Sequence, residues 1–390
     1  MASRRVRLAQ RRKAAGLSQE RLAAQLGVDR STVVRWEAAD TAPQPWLRPI
    51  LADALGITAD ELGALLDEVD EGIHPGDGLL TDRPTSSIQL GNGPRLDAVV
   101  EHLREHWHLL VKTDNLLGPR HALGGVLARL DTINELLKTA ATSGRPQVVR
   151  LAAQYAESAS WLYEDSGGTT EALHWSGRAL EWAIESDDSL MTAWVLFRRS
   201  QQAVPSGNAG QVLGLAAAAR RASPDLLPPM RAAIDEQEAR GFALDGDETA
   251  AQRKLDDAHT WAATDVVGDA RTGHGSFCTA SYIELQRAAC WLTLGRPARA
   301  IELYEATLPG LPEVYRRDRG IALGRLASAY AATSEPEVAA QTATEALAIG
   351  QEAGSARTLG VVRAVGKRLG THRQLPAVAH LMRELAMEPG

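Results

Sequence analysis

The chain has 390 residues, 44% hydrophobic and 23% charged, with a formal net charge of −7. That length and make-up belong to a globular protein of two or more domains, and the absence of any run of 18 apolar residues excludes a membrane-spanning helix. The charge is uneven: residues 1–48 carry ten Lys or Arg against four Asp or Glu, whereas the chain after Gly63 carries 32 against 42. Only this basic head is suited to a polyanion.

The opening stretch "MASRRVRLAQRRK" is followed by no apolar segment of the kind a secretory signal needs, so a cytoplasmic protein is expected. Short helices follow. The first ends at Gly16. Ser18 is placed to cap "QERLAAQL", which ends at Gly27, a residue suited to a left-handed turn. Asp29 is placed to cap "RSTVVRWEAA", and after "PWLRPILADALG" Thr58 is placed to cap "ADELGALL". Leu22, Leu26, Val28, Val33 and Trp36 have the spacing of a small core shared by crossed helices, and Ala23 is small where they would cross. Arg30, Ser31, Thr32 and Arg35 are left on one polar face, which is either plain solvent surface or a surface that reads a polar partner.

The stretch "SQERLAAQLGVDRSTVVRWE", with the trailing "LADALGITADEL", resembles the helix-turn-helix of the Xre, or lambda/434 repressor and Cro, family over about residues 4–66. In that family the third helix enters the major groove with its N-terminal residues at base edges. The resemblance implies that Arg30, Ser31 and Arg35 read bases, that Thr32 touches sugar or phosphate, and that Gln19 bonds a phosphate. It also implies a structural ion pair between Arg12 and Glu37. The segment after the third helix is often basic in the family; here, "AADTAPQPW" has no Lys or Arg.

Domains are expected over residues 1–66 and 96–390, joined by a Gly-, Pro- and Asp-rich flexible linker over 67–95. The body opens with two helices joined near Gly118 and Pro119, and "EHLREHWH" sets His102 and His106 four apart on a helix. No third ligand or Cys accompanies them, so no metal is expected. Turn-like residues then recur at Gly167, Gly207, Gly246, Gly295 and Ser334, at spacings of 40, 39, 49 and 39. In that register Ala, Ser or Thr recur seven before, five after and twelve after the turns, and an aromatic often stands four before. The extra residues of the third interval fall in a long loop near "WAATDVVGDARTGHGSF". Cys278 and Cys290, expected on one helix, stand too far apart to bridge and read as reduced thiols in a core.

This register resembles the 34-residue tetratricopeptide repeat, with "AACWLTLGRPARAIELYEATL" the best-fitting stretch. The implied fold is all-α: a small five-helix helix-turn-helix domain, then a tetratricopeptide-like α-solenoid of five hairpins with flanking helices and a concave face. Carried over, the family's concave positions give Gln154, Trp161, Trp194, Gln201, Arg240 and Tyr282 as effector-groove candidates; the same aromatics would also serve as packing inside a tightly wound coil. No phosphate loop, nucleophile elbow or metalloprotease motif is present, so no catalytic residue and no cofactor are expected.

The combination resembles Xre/tetratricopeptide regulators of actinobacteria and, more loosely, the peptide-pheromone receptors of Gram-positive bacteria; abundant Ala and Arg lean toward the first. It implies a homodimer on an inverted-repeat double-stranded DNA operator, controlled by a small-molecule or peptide effector. The alternative is a repeat scaffold for a protein partner that the head brings to DNA.

Overall fold

The computed structural model describes residues 5–38, 41–43, 47–67, 94–264, 274–275, 277–312 and 315–387. No strand occurs among them. The chain divides into two units, Met1–Thr85 and Ser86–Gly390.

The first unit has five short helices: α1 (Val6–Ala14), α2 (Gln19–Leu26), α3 (Arg30–Glu37), α4 (Arg48–Leu55) and α5 (Ala59–Asp67). Ser18 Oγ accepts the Arg21 amide at 3.1 Å, closing the free N-terminus of α2. Gly27, at φ +65°, turns the chain toward α3. Thr58 and Glu61 form a reciprocal capping box, with bonds of 2.7 and 3.2 Å. Asp29 corrects the sequence reading, because its side chain makes no capping bond to α3. Leu22, Ala23, Leu26, Val33 and Trp36 are buried with Leu8, Leu51, Leu55, Leu62 and Leu66 in one core. Arg5 was not anticipated: it is buried and donates to the carbonyls of Leu66, Trp36 and Thr41 at 2.7, 3.1 and 2.8 Å, tying both ends of the domain together. Most of the linker lies outside the described residues; of its expected ends, Asp67 closes α5 and Pro94 opens α6.

The second unit begins with α6 (Pro94–Leu117) and α7 (Pro119–Thr139). Five hairpins follow: α8 (Arg145–Ser166) with α9 (Thr169–Glu185), α10 (Ser189–Ala203) with α11 (Ala209–Ala222), α12 (Pro228–Asp245) with α13 (Glu248–Ala263), α14 (Ala280–Thr293) with α15 (Pro297–Thr307), and α16 (Arg316–Ala332) with α17 (Pro336–Ala353). The last elements are α18 (Ala356–Arg368) and α19 (Pro376–Met387). The five turns fall at the residues read from sequence, and all five have positive φ: Gly167, Gly207, Gly246, Gly295 and, without glycine, Ser334 at +64°. The small residues let the paired helices approach. Ser160, Ser200, Ala239, Ala288 and Ala327 are buried, as are Ala172, Val212, Ala251, Ala300 and Ala339 across from them. In the first two hairpins the serine also donates to the facing helix, Ser160 to the Ala172 carbonyl and Ser200 to the Val212 carbonyl, both at 2.8 Å. Part of the long third interval, residues 265–273, lies outside the described residues. Cys278 precedes α14 rather than sharing it with Cys290; both thiols are free and buried, and burial pushes both pKa values up, so neither is a ready thiolate.

The stack curls until the end of α17 and the start of α18 touch the α6–α7 junction and the end of α8. A Cβ at Gly118, whose φ is +90°, would stand 2.0 Å from the Ala353 carbonyl oxygen, so only glycine admits this approach. Beside it, Ala356 packs against Gly167 and Arg120 against Gly354.

Candidate functional site

In the first unit, the N-terminal face of α3 is open. Arg30, Ser31 and Arg35 are exposed and Thr32 half-buried. Their restraints are weak: Arg30 Nη2 reaches Gln19 Oε1, and Arg35 reaches the Ser31 carbonyl and Thr32 Oγ1, all at 3.4 Å. Arg30 Nε also meets Glu20 at 2.6 Å, but both side chains are more than 60% exposed. Such a pair is weak in water and readily exchanged. Behind the face, Arg12 Nε donates to Glu37 Oε1 at 2.6 Å, both groups largely buried, and to this pair Gln19 is tied, its Nε2 donating to Glu37 Oε2 at 2.7 Å. That bond orients the Gln19 amide at the start of α2.

In the second unit, the inner wall of the coil encloses a cavity of about 1000 Å³, within the range of ligand sites. Trp161, Trp194, Gln201, Arg240 and Tyr282 line it; Gln154 does not, one turn of α8 away from Glu157 and Ser158, which do. Phe197 is core, 1% exposed, and packs on Trp194 with ring centroids 4.6 Å apart. The aromatic wall is completed by His274, stacked on Trp194 at 5.0 Å, and by Phe277, edge-on to Tyr282 at 5.1 Å. Burial lowers the pKa of His274, keeping it neutral.

The cavity wall also carries an ionic clasp that joins the start of the coil to its end. Arg317 Nη1 and Nη2 donate to the two Asp114 oxygens at 2.7 Å, and Nη1 also to Asp165 Oδ2 at 3.0 Å. Asp165, 1% exposed, further accepts Ser355 Oγ at 2.7 Å and Arg357 Nε at 3.1 Å. Burial opposes the charge on both arginines, but the carboxylates outweigh it and hold both pKa values above the usual range. Trp161 lies within this group. Its indole donates to Asp114 Oδ2 at 3.2 Å, and Arg198 and Arg357 lie 4.5 and 4.6 Å from its ring centroid. Sequence reasoning missed Asp114, Asp165, Arg317, Arg325 and Arg357. The charge-dense start of α16, "RRDRG", was the available signal, although its Arg316 and Arg319 serve elsewhere, pairing with Glu352 and with the Leu308 and Leu311 carbonyls.

His102 and His106 sit edge-on with centroids 5.3 Å apart, and no group of metal-ligating side chains occurs among the described residues. No described helix is long and apolar enough to cross a membrane.

Residues 8–62 match the helix-turn-helix family model HTH_3. No curated protein matches the chain. Among solved structures, PlcR of Bacillus thuringiensis, crystallised with the peptide PapR7 and DNA, is 14% identical, with 77% of this chain and 91% of that one covered at a TM-score of 0.36. A Rap protein complexed with competence and sporulation factor is 13% identical, with 95% and 97% covered at a TM-score of 0.49. The five-helix head, its capped α2, its open α3 and the family match together make the N-terminal unit an Xre-type helix-turn-helix DNA-binding domain, joined in one chain to a tetratricopeptide-like stack of helical hairpins.

Proposed function

We propose that the protein is a transcription regulator that binds an inverted-repeat operator as a homodimer and is controlled by an effector held in the cavity of its helical repeats. The DNA half rests on the match over residues 8–62 and on the open face of Arg30, Ser31 and Arg35. One recognition helix reads too few base pairs for a specific site, so two heads on a two-fold axis are needed, their half-sites a helical turn or more apart. The effector half is carried by one observation: a cavity of about 1000 Å³ lined by aromatic and charged side chains, where a stack built only for packing would be filled. An effector regulates by binding the DNA-competent and incompetent arrangements unequally, and a 100-fold change in operator affinity requires about 2.7 kcal/mol of coupling.

The test has two arms. Selection from randomised duplexes with the full chain should enrich an inverted repeat; enrichment of nothing would refute the operator reading. Gly360 lines the cavity, and a Cβ placed there meets no atom within 4 Å. Gly360→Trp should therefore obstruct the cavity without unfolding the coil. It should bind the selected operator as the natural chain does, yet no longer respond to a small-molecule extract that shifts the natural chain's affinity. An equal response in both chains would place the sensor elsewhere.

A further inference from the structure

We infer that the cavity takes an organic anion, its acidic head group held between Arg240 and Arg325 and its apolar body lying against Trp161, Trp194 and Tyr282. The inference rests on the effector reading above and gives it a ligand class.

Among the described residues five arginines line the cavity, and they fall into two sets. Arg198, Arg317 and Arg357 each have a carboxylate oxygen within 3.1 Å. Arg240 and Arg325 do not. The Arg325 guanidinium donates to Gln286 Oε1 at 3.1 Å and also faces the Tyr304 hydroxyl, both neutral groups, and among the described residues the carboxylate nearest Arg240 is Glu236 Oε1 at 3.8 Å, beyond hydrogen-bond reach. A guanidinium has five N–H donors in a fixed fork, so most of the donors of this pair have no acceptor among the described residues.

The two cations also act on each other. Burial, together with the charges of Arg240 and Arg357, lowers the pKa of Arg325. Burial likewise pushes Glu236 toward its neutral form, and its Oε1 is buried without a hydrogen-bond partner. With Glu236 ionised the trio keeps a net charge of +1; with it protonated, +2. Either state leaves partly buried positive charge without an adequate counter-charge, an arrangement that an anion stabilises. The other carboxyl groups of the wall do not serve. Asp114 and Glu157 are engaged by Arg317 and Arg198, Glu164 acts on Arg357, and Asp318 acts chiefly on Arg317 and Arg357 and least on Arg325.

The shape agrees with the charge. Arg240 and Arg325 line both the main cavity and an adjoining recess of about 110 Å³ that they share with Thr293 and apolar side chains. The recess suits a head group and the main cavity a body of several rings or an extended chain. The aromatic wall supplies the apolar contact. The head group's shared chemistry is a planar or tetrahedral oxyanion, which a pair of guanidinium forks recognises in either form.

Two fluorescent probes with nearly the same body isolate the head group: 8-anilinonaphthalene-1-sulfonate, an anion, and N-phenyl-1-naphthylamine, which lacks the sulfonate. Both should bind the full chain, and Trp194→Ala should weaken both. Arg240→Gln with Arg325→Gln should weaken the anion at least ten-fold and leave the neutral probe within about two-fold, and the double lysine variant should recover most of the anion binding. Competition by alkyl or aryl carboxylates, against the matching phosphate esters, then tells which oxyanion is preferred. Equal loss of both probes, or an unchanged anion affinity in the glutamine variant, would overturn the anion inference while leaving the cavity intact. A natural chain that binds neither probe, or a Trp194→Ala change without effect on either, would instead overturn the effector cavity itself.

Discussion

The head and the body both build their sites on arginine, under opposite rules. In the head, Arg30 and Arg35 stand in water, held by contacts of 3.4 Å and one exposed ion pair, and are free to exchange these for bases and phosphates. In the body, Arg317 and Arg357 are sunk against Asp114 and Asp165 and joined to residues more than 150 positions away. An exposed cation is worth little until a partner arrives; a buried one is costly whenever its partner leaves. The first arrangement suits recognition, and the second suits holding a coil closed.

The hardest test of this contrast is Asp165→Ala. The change strips a carboxylate that accepts from Arg317, Arg357 and Ser355 and leaves two guanidinium groups beside an unfilled site. A loss of about 3–5 kcal/mol is expected, read as the shift in urea midpoint of the second unit's transition. A loss below 1 kcal/mol would show that the clasp is solvated and that the start and end of the coil are held together by packing alone.

On the other side of the contrast, Arg35→Ala should leave the melting temperature within error and cost about 1–3 kcal/mol of operator affinity, with preference relaxed at one base pair. Arg30→Ala should behave alike, whereas Gln19→Ala should weaken all sequences equally. Intact affinity in both arginine variants, by fluorescence anisotropy on the selected operator, would remove α3 from the major groove.

The same contrast explains what the sequence disclosed. The turns at Gly167, Gly207, Gly246, Gly295 and Ser334 are local devices, legible because a left-handed residue between two helices leaves a short-range signature. The spacing of Ser18, Gly27, Val33 and Trp36 is local as well. The clasp depends on how far the coil curls, which is the sum of small rotations at every repeat, and no window of sequence contains it. Asp114 and Arg317 are 203 residues apart, so each alone reads as an ordinary helix charge. Gln154 shows the finer limit. It occupies the same repeat position as Trp194 and Tyr282, which line the cavity while Gln154 does not, so position in the repeat does not fix which side chains reach the inner wall.

A subtler difference between buried and exposed groups appears in the response to acid. His274 is held neutral by burial, so its folded pKa lies below the value of about 6.5 expected in the unfolded chain. As pH falls, the unfolded chain takes up that proton first. Its contribution to stability is therefore complete above about pH 6.5 and is lost as pH falls from there toward the folded pKa, with a limiting slope of about 1.4 kcal/mol per pH unit. Other groups titrate too, Glu236 and Asp318 in the opposite sense, so the measurement is a difference. The stability of the natural chain minus that of His274→Asn should decline from pH 7 to pH 5. A flat difference would mean that the imidazole is solvated and that the wall at Trp194 is open.

The smallest effect belongs to the most exposed pair. Glu20 meets Arg30 at 2.6 Å, yet both side chains lie in solvent. The backbone at the start of α2 and the Ser18 hydroxyl keep the Glu20 carboxyl below its usual range, with Arg30 a lesser cause, so Glu20 is ionised throughout the neutral range. It stands beside the face proposed to meet DNA, where it would repel phosphates, and it occupies Arg30, one of the side chains proposed to read bases. Glu20→Gln should therefore leave melting unchanged and tighten operator binding by less than ten-fold, with the gain shrinking as salt is raised. The sign is the informative part. Weaker binding would mean that Glu20 holds Arg30 in its reading position, and the exposed pair would then share the structural role that the clasp has in the body.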